Sequence, residues 1–222
     1  MTERRLLQIQ ALSGLGFLIF TLVHLANTGI AVLGVEAYAG FQEIARIFYQ
    51  NPALEIALLM IPLAIHWTAA AIRLKRDGFM RKNRTLRARL HRYSGYFLLV
   101  FIWGHVAATR GPSFFYDVEV GFSTIAYTFK WLPVWFYPYY TTLALAGLYH
   151  GINGAMLAGS IFGLRVPQVL RYGPGFWFPI GALALTLLVG LASLGGNLYE
   201  IPDPFETEYA AFMAEMFGES PP

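Results

Sequence analysis

Five long apolar blocks, near residues 6–33, 52–73, 90–108, 131–164 and 177–198, constrain this chain more than any other feature of it. Each approaches or exceeds the roughly 20 residues that a helix needs to cross about 30 Å of hydrocarbon, at about 1.5 Å per residue. Only 13% of the 222 residues are charged, against about 25% in a soluble domain, and 56% are hydrophobic. The expected fold class is therefore all-α: a polytopic membrane protein of five transmembrane helices. With no long polar linker, residues 1–222 read as one domain. Pro133 and Pro138 interrupt the approach to the fourth block, so its helix is expected to begin nearer Tyr139. The stretch KWLPVWFYPYY around them reads as an interfacial aromatic belt. MTERR followed by an apolar run has the outline of a secretory signal, with AYA at Ala37–Ala39 as a cleavage site. The run is too long for that, and an uncleaved first span is expected.

The charges give an orientation. Of 16 Lys and Arg, nine lie between Arg73 and Arg92, Arg4 and Arg5 precede the first block, and Arg165 and Arg171 separate the fourth from the fifth. The opposite side holds only Arg46, Arg110 and Lys130. The positive-inside rule then makes the N-terminus and the second and fourth connections cytoplasmic, and puts residues 199–222 on the non-cytoplasmic side. The nine-charge segment has two readings, a pure topology signal or a dock for a cytoplasmic partner or anionic lipid headgroups. With that role available, a net charge of +3 gives no reason to invoke nucleic acid.

There are no cysteines, which excludes disulfides, a CxxCH haem attachment and any iron–sulfur cluster held by this chain's own thiolates. Four of the five histidines fall one per block: His24, His66, His105 and His150. His91 differs, standing beside Arg92 at the cytoplasmic rim of the third block. An imidazole inside a bilayer is costly and normally faces the bundle interior or a cavity.

Two of them share a frame. SGLGFLIFTLVH runs from Ser13 to His24 and SGYFLLVFIWGH from Ser94 to His105. Eleven residues make three helical turns plus about 20°, so serine and histidine share a face about 16 Å apart in height. If both Ser-Gly pairs enter at one depth, His24 and His105 are level. His66 lies about 10 Å of helix from Arg73, whereas His105 lies about 20 Å from Arg92 on the same side. This spacing groups His66 with His150 nearer the cytoplasm, and His24 with His105 nearer the outside. Ala70, Gly154 and Ala155, one turn beyond His66 or His150, let a flat group lie close to the backbone. Zinc would want three or four ligands including carboxylates or thiolates, which these blocks do not offer beside the histidines. Iron in a porphyrin needs only two axial ligands, and two b-type haems, one per pair, satisfy the pattern.

The four histidines, HRYSG at the start of the third block (His91 to Gly95) and YHGING in the fourth (Tyr149 to Gly154) resemble the five-helix dihaem cytochrome b subunit of succinate:quinone oxidoreductases. That family includes succinate dehydrogenases and fumarate reductases. The likeness rests on the order, spacing and helix assignment of these residues together. It covers about Ser13 to Ser160 and is weaker in the fifth block and tail. It implies a membrane anchor and electron-transfer subunit in a bacterial or archaeal cytoplasmic membrane. Such a subunit passes electrons between a cytoplasmic iron–sulfur protein, with its flavoprotein, and menaquinone or ubiquinone. Dicarboxylate chemistry would lie on the flavoprotein and not on this chain, and the whole complex has room to homo-oligomerise. His66 and His150 would ligate the proximal haem of a four-helix bundle formed by the first four spans, and His24 and His105 the distal one. His91, Arg92 and Ser94 would meet a haem propionate or a quinone oxygen, Arg being well suited to carboxylates. Arg92 has a second reading as a snorkelling anchor. Glu43 stands where some relatives exchange quinone protons, with an ordinary solvated loop residue as the other reading.

Other dihaem subunits, of a hydrogenase, a formate dehydrogenase or a b561-type protein, share the histidine logic. A haem-free transporter or assembly protein is the reading from another class. The segment 121–131, with Phe122, Ile125, Ala126 and Phe129 at helical spacing, reads as an interfacial helix over the distal site. FETEYAAFMAEMF in the tail has an amphipathic pattern suited to docking on the outer face or on a neighbouring protomer. Phosphate loops, Ser-His-Asp arrangements and paired carboxylates are absent from the sequence.

Overall fold

The computed structural model describes residues 2–49, 51–78, 85–165, 167 and 173–218. All regular structure among them is helical. In chain order the helices are α1 (Glu3–Ile30), continued by a 3-10 turn (Ala31–Leu33), α2 (Val35–Tyr49), α3 (Pro52–Asp77), α4 (Leu86–Tyr116), α5 (Phe122–Trp131), α6 (Pro133–Ile161), α7 (Pro174–Leu194) and α8 (Glu208–Phe217).

Local chemistry accounts for the boundaries. Thr2 caps α1 by accepting from the Arg5 N–H at 3.4 Å. Asn51 caps α3 through the Ala53 and Leu54 N–H groups, with Pro52 in the first turn, where its missing donor costs nothing. Thr85 caps α4 and Thr207 caps α8 in the same way. Within α3, residues Ile56–Met60 form a π turn immediately before Pro62. Pro62 has no N–H for the Leu58 carbonyl and its ring would crowd that group, so a wider turn relieves the conflict.

Among the described residues, three helices are long and apolar enough to cross a membrane: Glu3–Leu33, Pro52–Asp77 and Pro174–Leu194. α4 and α6 match them in length, at 31 and 29 residues. The fourth block departs from expectation at its start, since α6 begins at Pro133 and carries Pro138 inside it. The carbonyl that Pro138 leaves without its helical donor belongs to Val134, an exposed residue in the first turn. The third block also runs further than expected, to Tyr116, with Pro112 near its end. Arg81, Lys82, Arg84 and Arg171 lie outside the described residues.

α1 is the centre of the assembly. It packs against α3 and α6, α6 packs in turn against α4, and α7 lies over α1 and α6. α7 buries Phe176, Ile180, Leu187, Leu191 and Leu194 in that seam. Its approach to α1 requires Gly190, because a Cβ there would overlap the Thr28 carbonyl. Leu12 (66% exposed) and Ile19 (70%) on α1, Val100 (68%) on α4 and Phe178 (78%) on α7 leave large apolar side chains on the outer surface. Such a surface is compatible with a lipid environment.

One end of the bundle is basic. There Arg73 reaches Glu3 at 3.2 Å and the Gln10 side chain at 2.8 Å, and Lys75 and Arg76 occupy the last turn of α3. At the opposite end, α5 and α8 pack together through Val118, Tyr127, Tyr209 and Ala210.

Candidate functional site

A cavity of about 1560 Å³ is lined by residues of α1, α3, α4 and α6 and carries all four block histidines on its walls. Pockets for a single small ligand hold roughly 300–1,000 Å³, so this one has room for more than one group. α3 and α4 meet across it through the Trp67 and Trp103 rings, 4.3 Å apart.

The histidines face each other in two pairs. His24 on α1 and His105 on α4 have ring centroids 5.8 Å apart at 66°, and His66 on α3 and His150 on α6 lie 6.2 Å apart at 86°. The two pairs sit at different levels. His66 is beside Gly14 and His150 beside Gly95, and each glycine precedes a histidine of the other pair on its own helix by ten residues. At about 1.5 Å per residue the levels are roughly 15 Å apart. The pair nearer the basic end is His66 with His150.

Second-sphere contacts set which nitrogen of each inner ring faces the cavity. His66 Nδ1–H donates to the Gln10 carbonyl at 2.9 Å, and His150 Nδ1–H donates to the His91 carbonyl at 3.0 Å. A carbonyl only accepts, so the proton is on Nδ1 and the Nε2 lone pair is left for a metal. The outer pair is held by rings instead, His24 stacked on Phe20 at 5.5 Å and His105 edge-on to Tyr140 at 6.4 Å.

This donor set can be tested against a metal. Imidazole nitrogen bonds a first-row metal at about 2 Å, so two rings on opposite sides of one ion would have centroids roughly 6 Å apart. Both pairs meet that spacing. Among the described residues no three His, Cys, Asp or Glu side chains gather closely enough to hold a metal. Each level thus offers two nitrogens and no further protein donor, which suits an ion whose other ligands come from a macrocycle. Ala70, Gly154 and Ala155 line the cavity as the spacing predicted.

The remaining predicted residues divide. Arg92 lines the cavity. Ser94 approaches His150 itself, its Oγ 3.4 Å from Nδ1. His91 also lines the cavity: its ring stacks on His150 at 4.2 Å and 5°, and its Nδ1 is buried with no hydrogen-bond partner. Glu43 lies on α2, exposed and not on the cavity wall, so it is a helix residue and not a loop one.

Two constellations escaped the sequence reading. Glu55, in the first turn of α3, lines the cavity and accepts two bonds from Arg110 of α4, both at 2.9 Å. A carboxylate at the start of an otherwise uncharged block was the signal. Asn27, 5% exposed, also lines the cavity, and its Oδ1 has no partner. The second constellation is Arg87, which joins three helices. Its Nε donates to Asn153 Oδ1 at 2.5 Å, its guanidinium lies 3.6 Å over the Phe176 ring, and its carbonyl accepts from the Tyr149 hydroxyl at 2.9 Å. At the opposite end Tyr209 of α8 contributes to the cavity wall. Burial, with Tyr140 and Tyr127 nearby, pushes its phenol up to about 12, so it stays neutral.

No family model matches the chain, and no curated protein or solved structure matches it.

Proposed function

We propose that this chain is a dihaem membrane cytochrome b, the anchor and quinone-reactive subunit of a succinate:quinone oxidoreductase. The observation that carries the cytochrome reading is the two facing imidazole pairs at two levels of one cavity, each with ring centroids about 6 Å apart, where the two histidines of a pair could hold one haem iron. The resemblance of HRYSG and YHGING supplies the enzyme class. In this reading all five long helices span the membrane, and α1, α3, α4 and α6 form the haem-binding bundle.

Bound b haem supplies one-electron redox chemistry at each level, between a cytoplasmic iron–sulfur partner and quinone. The chain's own residues do the rest. His66 and His150 would hold the inner iron and His24 and His105 the outer one, while the Gln10 and His91 carbonyls fix the inner imidazoles. Apolar walls exclude water from both levels. Arg73 and Arg92, at the basic end of the cavity, suit the carboxylates of an inner haem. The positive-inside rule turns that end to the cytoplasm.

The test is purification of the intact complex from its native membrane, with pyridine haemochrome analysis and identification of the co-purifying subunits. Two haems b per chain, reducible by succinate and accompanied by a flavoprotein and an iron–sulfur protein, is the expected result. Absence of Soret absorbance would refute the cytochrome reading. A hydrogenase or formate dehydrogenase partner would move the chain to another dihaem class.

A further inference from the structure

The repeated Ser-Gly steps at Ser13–Gly14 and Ser94–Gly95 are at the same helical distance from histidine, yet they lie nowhere near those histidines. Each touches the ligand of the helix that returns. A Cβ on Gly14 would stand 2.8 Å from His66 Nδ1, and one on Gly95 would stand 2.9 Å from His150 Cε1. Real Cβ atoms do not approach so closely, and neither ring has freedom to yield. Each is tethered by Nδ1 to a carbonyl and faces its opposite number across the cavity.

The tethering carbonyls repeat too. Gln10 lies three residues before Ser13 and His91 three residues before Ser94. Ser94 Oγ–H donates to the His91 carbonyl at 3.0 Å, and Ser13 Oγ–H is shared between the Ile9 carbonyl at 2.8 Å and the Gln10 carbonyl at 3.2 Å. Serine bonding back to a carbonyl of its own helix is common. What sets these two apart is that the same oxygen also receives an imidazole N–H from another helix.

We propose that each Ser-Gly step is a positioning device for the inner ligand of the following helix. Gly14 and Gly95 open the space for the rings of His66 and His150, and Ser13 and Ser94 moderate the carbonyl that accepts their Nδ1–H. The device serves α1 toward α3 and α4 toward α6, so each outgoing helix holds one pair's ligand and supplies the other pair's. This inference rests on the cytochrome reading above and assigns roles to residues that bind no iron.

The two haems make the test specific, because the assignments cross. Gly14→Ala and Gly95→Ala, made in the whole complex, are expected to abolish the inner haem's step in a redox titration and leave the outer step, although Gly14 shares its helix with the outer ligand His24. Alanine is the better helix former, so weakening of the helix does not explain such a loss. Gly181→Ala on α7, where a Cβ meets nothing within 4 Å, is the control and keeps both steps. Ser94→Ala leaves haem content intact. With the hydroxyl gone the His91 carbonyl accepts more strongly from His150, the ligand becomes more electron-rich, and the inner potential falls while the outer stays.

Retention of a normal inner step in both glycine variants, or loss of the outer step instead, overturns the proposal. An inner potential unmoved by Ser94→Ala overturns it as well, and that readout decides the matter even if the glycine variants fail to assemble. A wild-type complex without haem would defeat the cytochrome reading, a different outcome from any of these.

Discussion

Arg87 offers the sharpest test of how the inner level is held rigid. Arg87→Ala removes a charge-assisted hydrogen bond to Asn153, a contact of about 1.5–3 kcal/mol. It strands Asn153 Oδ1 in a position where the residue is only 2% exposed. It also removes a cation stacked 3.6 Å over Phe176, worth about 0.5–2 kcal/mol. The two losses share one side chain and are not independent, so a total of about 2–4 kcal/mol is expected. Reversible unfolding in mixed micelles, followed by the helical signal, measures this directly. Arg87→Lys keeps the charge without the planar fork and should recover less than half of the loss. In a double-mutant cycle with Asn153→Ala, the pair should show a coupling of about 1–2 kcal/mol. If Arg87→Ala unfolded within about 0.5 kcal/mol of wild type, the range of an ordinary surface substitution, Arg87 would not be the pin described here.

Further outcomes follow from the same geometry. His66→Ala and His150→Ala should remove one and the same spectral component, and His24→Ala and His105→Ala the other; optical redox titration that found different components lost within a pair would break the pairing. Gly190→Ala should loosen α7 from α1, at a cost of about 1–3 kcal/mol for overpacking against backbone, and faster proteolytic nicking of the connection before α7 would report it.

The sequence carried the long-range plan of the bundle and little of its cross-links. Apolar block length found all five long helices, and a fixed eleven-residue frame put His24 level with His105 before any coordinates. Block length could not find α2, whose VEAYAGFQEIARIFY is amphipathic and too polar to stand out beside its neighbours. Proline rules placed the start of α6 too late, because the cost of Pro138 depends on whether the orphaned carbonyl is buried, and Val134 is exposed. The stack of His91 on His150 has no signature in the spacing of either segment and exists only through the packing of α4 on α6. Glu55 and Arg110 are 55 residues apart in sequence and meet only in the fold, across the cavity between α3 and α4. Hydropathy scores each charge separately and is blind to their cancelling one another.

The π turn at Ile56–Met60 sets the bearing of the two ends of α3 against one another. Such a turn holds one residue more than an α-turn and confines the surplus to a single place. Everything from Pro62 onward, His66 included, keeps its bearing, while the stretch before it is swung by up to about 100° relative to an unbroken α-helix. That swing is part of what brings Glu55 round to Arg110. Deleting one residue from this turn would restore an unbroken α-helix, keep His66 on its bearing and turn Glu55 away from Arg110.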